Sequence, residues 1–122
     1  DSYCVSDPAN SKVCILKDNT LRYYSYTDSE CFPDKEVFDL SIYGTIRDIA
    51  TDPNNNFYFI ITELEGVHKL RILNRKTLKE VRDSIDGINE IVHMSHPTGK
   101  LLCMDTDGYL RIIQINTNAI PR

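Results

Sequence analysis

Three histidines, four cysteines and one short acidic turn are the residues of this chain whose types suit chemistry. A metal site needs ligands held at matched distances, and a catalytic imidazole needs a nucleophile or carboxylate to orient it. His93 and His96 flank one proline turn while His68 lies in a separate stretch, so all three are expected to be surface or turn histidines that do not converge. Cys4, Cys14, Cys31 and Cys103 contain no C-x-x-C pair, which removes the usual zinc spacing. Cys14 and Cys103 read as small buried hydrophobes, because the matching position of an intervening repeat is Phe59. Cys4 and Cys31 carry no assignment. The stretch "DTDG" at 105–108 opens like a calcium loop but lacks the further oxygen ligands and the closing Glu. Asp107-Gly108 is instead a dipeptide that two-residue hairpins favour, since Gly accepts positive φ. There is no G-x-S-x-G and no phosphate-cradling glycine loop, with only five glycines in the chain. The expectation is a protein that is not an enzyme and uses no metal or cofactor.

The elements that position these residues announce themselves by repetition. "TLRYY" at 20–24, "KLRIL" at 69–73 and "YLRII" at 109–113 share a Leu-Arg-apolar core. Anchored on proline, the copies begin "DPANSKVCILKDNTLRYY" at Asp7, "DPNNNFYFIITELEGVHKLRIL" at Asp52 and "HPTGKLLCMDTDGYLRII" at His96, with Pro8, Pro53 and Pro97 spaced 45 and 44 residues apart. Each copy reads as a polar turn, an apolar and β-branched run, a second turn and the Leu-Arg strand, which is a β-hairpin. This alignment matches Cys14 with Cys103, Asp18 with Asp107, Leu21 with Leu110 and Arg22 with Arg111. The middle copy carries four extra residues around "ELEG", placed at a hairpin tip where an insertion costs least. A strand is expected before each proline ("YCVS", "IRDIAT", "EIVHMS") and another after the first two hairpins ("EVFDL" at 36–40, "LKEV" at 78–81). The chain thus divides into units at about 3–41, 46–83 and 88–120, the third without its last strand, in one all-β domain or segment over 1–122.

A period near 45 residues with four strands per period marks sheets too small to cover their own faces, which rely on neighbours for burial. On these residues the chain resembles the β-propeller superfamily, in its tryptophan-aspartate-repeat-like branch, over residues 3 to about 116, although it has neither a Gly-His nor a Trp-Asp pair. The resemblance implies about two and a half to three blades of an incomplete propeller, closed by a parent chain, a partner or self-association as a homo-oligomer. It also implies a rigid protein-interaction scaffold. Two rival folds fit parts of the pattern. A pleckstrin-homology-like barrel would use "RKTLKEVRDSI" as a closing helix and Lys12, Lys17 and Arg22 around a phosphoinositide; a β-trefoil would suit three repeats, and either it or an oligomeric propeller lectin would bind carbohydrate.

Composition bounds the partners. The formal charge of -4 argues against nonspecific nucleic-acid binding, and no apolar run reaches the length of a membrane span. An acidic stretch at 28–39 and a basic one at 69–82 read mainly as solvated faces. Without an N-x-S/T sequon or a cysteine framework, the expected compartment is cytoplasmic or nuclear. The opening Asp1, in place of Met, implies a trimmed, processed or partial polypeptide. Arg22, Arg71 and Arg111 each follow an inward Leu and are expected to pair with carboxylates between units. On the propeller model one rim carries Tyr43, Glu63, Glu65, His68, Asp86 and Tyr109, the candidate protein-binding residues.

Overall fold

Residues 2–7, 10–52, 56–95 and 99–115 are described by the structure, a computed structural model of the chain. They form eleven strands in three antiparallel sheets. Sheet 1 is β1 (Ser2–Asp7), β2 (Lys12–Lys17), β3 (Thr20–Tyr26) and β4 (Cys31–Asp39). A 3-10 turn at Ser41–Tyr43 leads to sheet 2, made of β5 (Thr45–Thr51), β6 (Phe57–Leu64), β7 (Val67–Asn74) and the two-residue β8 (Ile85–Asp86). Sheet 3 is β9 (Ile88–Ser95), β10 (Lys100–Asp105) and β11 (Leu110–Gln114). Within each sheet the strands pair in chain order, so every unit is a simple meander. The all-β class matches the sequence reading, and three antiparallel sheets of three to four strands are compatible with a blade-repeat fold. No helix among the described residues is long and apolar enough to cross a membrane.

The three sheets stack, and β6 shows why the sequence requires it. Its residues Phe57 to Thr62 are all buried. Successive side chains on a strand point to opposite faces. Tyr58 and Ile60 accordingly enter one apolar cluster with Cys14, Leu16 and Leu21 of sheet 1. Phe57, Phe59 and Ile61 enter a second with Ile88, Leu101 and Cys103 of sheet 3. A strand apolar over the five successive residues Phe57 to Ile61 has no face there for water, so sheet 2 has to be the middle layer. First strands lie side by side: Tyr3 of β1 donates its hydroxyl to the Arg47 carbonyl of β5, and the Ile91 amide of β9 donates to Asp48 Oδ2 at 2.9 Å. Asn19, at the β2–β3 turn, accepts the Ile46 amide through Oδ1 at 3.0 Å.

Register repeats from sheet to sheet more faithfully than the proline alignment suggests, but with one shift. The opening turns close between Asp7 and Lys12, between Asp52 and Phe57, and between Ser95 and Lys100. Counting from those pairs, Cys14, Phe59 and Leu102 are equivalent, and so are Leu16, Ile61 and Met104. Their hairpin partners are Tyr23, Ile72 and Ile112, then Leu21, Leu70 and Leu110. The Leu-Arg phrase therefore holds one position in all three units. Cys103 does not match Cys14: it takes the place of Ile15 and Ile60, on the opposite face. The reason is the third hairpin, whose turn is not the expected two-residue one. Gly108 donates to the Asp105 carbonyl and the Asp105 amide donates to Tyr109, with Gly108 at φ 89°. That is a three-residue loop with a glycine bulge, and one extra residue reverses side-chain direction for the strand before it. Pro8, Pro53, Pro97 and His96 lie outside the described residues.

The four residues inserted in the middle unit lie in the strands and not in a loop. β6 and β7 each run two residues past the level of β2 and β3, and the turn remains two residues long. Asp18 and Asn19 have φ of 52° and 64°, Glu65 and Gly66 of 53° and 79°, the left-handed pair such hairpins require. Two residues per strand is one full pleat, so the inward face is preserved.

Four further expectations are overturned. "LKEV" at 78–81 is no strand; it contributes a single bridge between Glu80 and Leu73, and the fourth strand of sheet 2 is β8. "RKTLKEVRDSI" is not helical, with Leu78 at φ 60°, which removes the closing helix of a pleckstrin-homology-like barrel. The sheets are separate layers, which also leaves no barrel of the trefoil kind. Finally, Arg71 pairs with Glu80 inside its own sheet at 2.9 Å, because the 78–80 segment folds back onto β7.

Candidate functional site

The tips of the β6–β7 and β10–β11 hairpins, the 3-10 turn and β8 gather on one rim of the stack. Tyr43, Glu63, Glu65, His68, Asp86 and Tyr109 all belong to these segments. Glu63 and His68 face each other across the β6–β7 ladder, with His68 Nε2 3.4 Å from Glu63 Oε1. The same carboxylate oxygen takes the Arg47 guanidinium at 2.9 Å, so Glu63 joins β5, β6 and β7. Asp86 pairs with Lys69 at 3.3 Å, and Glu65 sits at the tip of the turn. The Gly87 carbonyl accepts the Thr106 amide at 3.0 Å, which fixes the third hairpin, with Tyr109 at its base, beside the end of β8. Tyr43 departs from the expectation of a surface residue. It is half-buried, donates its hydroxyl to the Leu78 carbonyl at 2.8 Å, and carries the Arg71 guanidinium 5.3 Å above its ring. Its contribution is to anchor the 3-10 turn.

What the sequence reading missed on this rim is apolar. Beside the expected Tyr109, 72% exposed, stand Ile42 at 82%, Leu64 at 54% and Val67 at 45%. They were hidden by the strand pattern, in which Leu64 and Val67 simply continue the alternation. Gly44 has φ 97°, and a Cβ there would lie 2.6 Å from the Glu63 carbonyl oxygen and 3.0 Å from Leu64. The 3-10 turn is therefore pressed directly against the hairpin tip, which places Ile42 and Leu64 in one neighbourhood.

A second, polar feature lies where sheets 1 and 2 diverge at the opposite ends of their strands. Here Arg75 reaches from the turn after β7 to Asp7 of β1, Nη2 to Oδ2, at 2.5 Å. Both groups are largely removed from water. Arg75 also hydrogen-bonds Tyr58, whose hydroxyl lies 2.6 Å from that of Tyr23. Burial alone would raise the Asp7 carboxyl; the hydrogen bonds from Asn10 and Arg75 outweigh it and hold the group below the usual carboxylate range. Burial pushes the Tyr58 hydroxyl far up, so it stays protonated. The cleft beside this seam has a volume of about 860 Å³ and is walled by Lys12, Asp34, Lys35 and Lys76 as well as Asp7 and Arg75. Lys12 is tied to Asp34 across sheet 1 at 2.8 Å. Asp7 and Arg75, 68 residues apart, could not be paired from sequence; only the "DP" turn hinted that Asp7 was special.

The thiols divide by burial. Cys14 and Cys103 are buried, and loss of solvation pushes each up to about 11; Cys4 and Cys31 are exposed, and all four are free. A thiol that far above neutrality is a poor nucleophile. Among the described residues no group of three or more His, Cys, Asp or Glu side chains is placed to hold a metal ion. His93 is exposed on β9, far in register from the His68–Glu63 pair.

No family model and no curated protein matches the chain. Among solved structures it is similar to a functionally unknown protein from Desulfotomaculum acetoxidans DSM 771, with a TM-score of 0.54 and 18% identity. The match covers 91% of this chain and 38% of that one, so the chain spans well under half the length of its structural neighbour. At that identity the likeness speaks to the fold alone.

Proposed function

We propose that the chain is a segment of a β-propeller, of the tryptophan-aspartate-repeat-like kind, acting as a non-enzymatic protein-interaction scaffold completed by further blades. The observation that carries the reading is the rim: four large apolar side chains, Ile42, Leu64, Val67 and Tyr109, stand exposed beside Glu63, Glu65 and Asp86 on the 3-10 turn, the hairpin ends and β8. Apolar groups grouped on a surface and rimmed by charge are the usual composition of a protein contact, and Tyr is among the residues that dominate such contacts. Stacked sheets support the role, since residues mounted on paired strands keep their spacing when a partner docks. The polar seam at the other end ties sheets 1 and 2 together. The test is capture of partners from lysate by the chain and by a Leu64→Asp/Tyr109→Ala double variant. Loss of specifically retained proteins in the variant supports the rim; unchanged retention removes it.

A further inference from the structure

Both outer faces of the stack are built from the same positions as its two internal interfaces. The face of sheet 3 that points away from sheet 2 presents Leu102, Met104, Leu110 and Ile112, two cross-strand pairs. In sheet 2 those positions are Phe59, Ile61, Leu70 and Ile72, all buried against sheet 3. Yet Leu110 is 60% and Ile112 71% exposed, and Val92 of the same sheet 48%. At the other end, the free face of sheet 1 presents Cys4, Val13, Ile15 and Tyr24. Their equivalents in sheet 2 are Ile49, Tyr58, Ile60 and Leu73, all buried against sheet 1. One end of the molecule thus carries the forward half of the repeating interface, and the other end its backward half.

From this we infer that the outer face of sheet 3 docks on the outer face of sheet 1 of a second copy of this chain, continuing the internal stacking. The contact is head-to-tail, so it must close or propagate. Two copies close: three sheets from each make six, inside the range of about four to eight that encloses a ring. In that pair each chain gives one face of each kind, and no apolar sheet face is left to water. The inference rests on the stacked-blade reading above, though not on the rim.

Cys4 is a built-in reporter. It is exposed in the single chain, but its position is that of buried Ile49, so docking covers it, and its own labelling rate at high dilution is the reference. The experiment follows sedimentation velocity and thiol labelling of the 122-residue chain across a concentration series. The expected result is a doubled mass at high concentration, with Cys4 labelling slowed relative to its rate on dilution. Ile112→Glu, at a position exposed in the single chain, should abolish the dimer and restore Cys4 reactivity without altering the circular dichroism spectrum. Leu64→Asp on the rim should leave the dimer intact, so failure of the rim proposal and failure of this one are separable. A monomer at every concentration, with Cys4 labelling at one unchanging rate, would overturn the inference and point to further sheets of a longer polypeptide as the cover. A dimer that survives Ile112→Glu would overturn it too.

Discussion

Leu21, Leu70 and Leu110 stand at one position of the repeat but in two environments, and truncating each to Ala reads out the stacking directly. Leu21 and Leu70 are 0% and 1% exposed, each enclosed between two sheets, whereas Leu110 is 60% exposed. Removing a buried leucyl side chain down to its Cβ forfeits about 2.4 kcal/mol of transfer free energy at roughly 0.8 kcal/mol per carbon. The cavity left behind adds to this, giving about 3 kcal/mol. Leu110→Ala removes contacts with little else and should stay within about 0.5 kcal/mol. The assay is urea unfolding by circular dichroism, at protein concentrations where sedimentation shows single chains. With a urea slope of about 1.5 kcal/mol/M, the two buried variants should lower the midpoint by about 2 M and the third scarcely at all. Near-equal effects at all three positions would refute the reasoning, because they would mean that Leu110 is covered within one chain or that Leu21 and Leu70 are not. At concentrations that favour the head-to-tail dimer, Leu110→Ala should additionally weaken association, a cost that dilution removes.

Other consequences are accessible to the same methods. Arg75→Met strands the buried Asp7 carboxylate and should cost roughly 3 kcal/mol, while Asp7→Asn/Arg75→Met should recover most of it, so a double-mutant cycle separates the pair from the packing. Asp7, held low when folded, contributes stability that is present above the ordinary carboxylate value and is lost as pH falls through its folded value. Asp48 behaves oppositely: burial raises it, against the pull of the Ile91 and Ile49 amides, so stability should rise as pH falls through its folded value towards the ordinary one. Asp48→Asn should flatten that mildly acidic gain while leaving the acid loss in place, as measured by thermal melts across pH. Gly44→Ala, at φ 97° and against the Glu63 carbonyl, should cost more than about 1 kcal/mol, whereas Gly66→Asn, in open space at φ 79°, should be close to neutral in thermal melts.

The candidate site was legible in part. His68 and Glu63 were placed on one rim from loop positions alone, and the structure adds that they face each other across a ladder. Ile42, Leu64 and Val67 could not be singled out, because an apolar residue in a strand pattern looks the same whether a neighbour covers it or not. Tyr43 was taken for a surface residue because the chain order puts it between sheets; its ring turns inward under Arg71 instead. Cys14 and Cys103 were rightly read as buried, yet as equivalents they were wrong, since a glycine bulge one residue long cannot be told from a two-residue turn by counting alone.

By itself, the sequence determined the periodic order of this protein: alternating apolar runs, left-handed turn residues and the Leu-Arg phrase specify hairpins locally, through contacts a few residues apart. It determined likewise that β6, apolar at each residue from Phe57 to Ile61, must be covered on both sides. Only the tertiary structure decided which sheet covers which, that Asp7 meets Arg75, and that the same leucine is core in two units and surface in the third. Those outcomes depend on residues tens of positions apart coming together, and burial belongs to the neighbour that supplies it as much as to the residue that receives it.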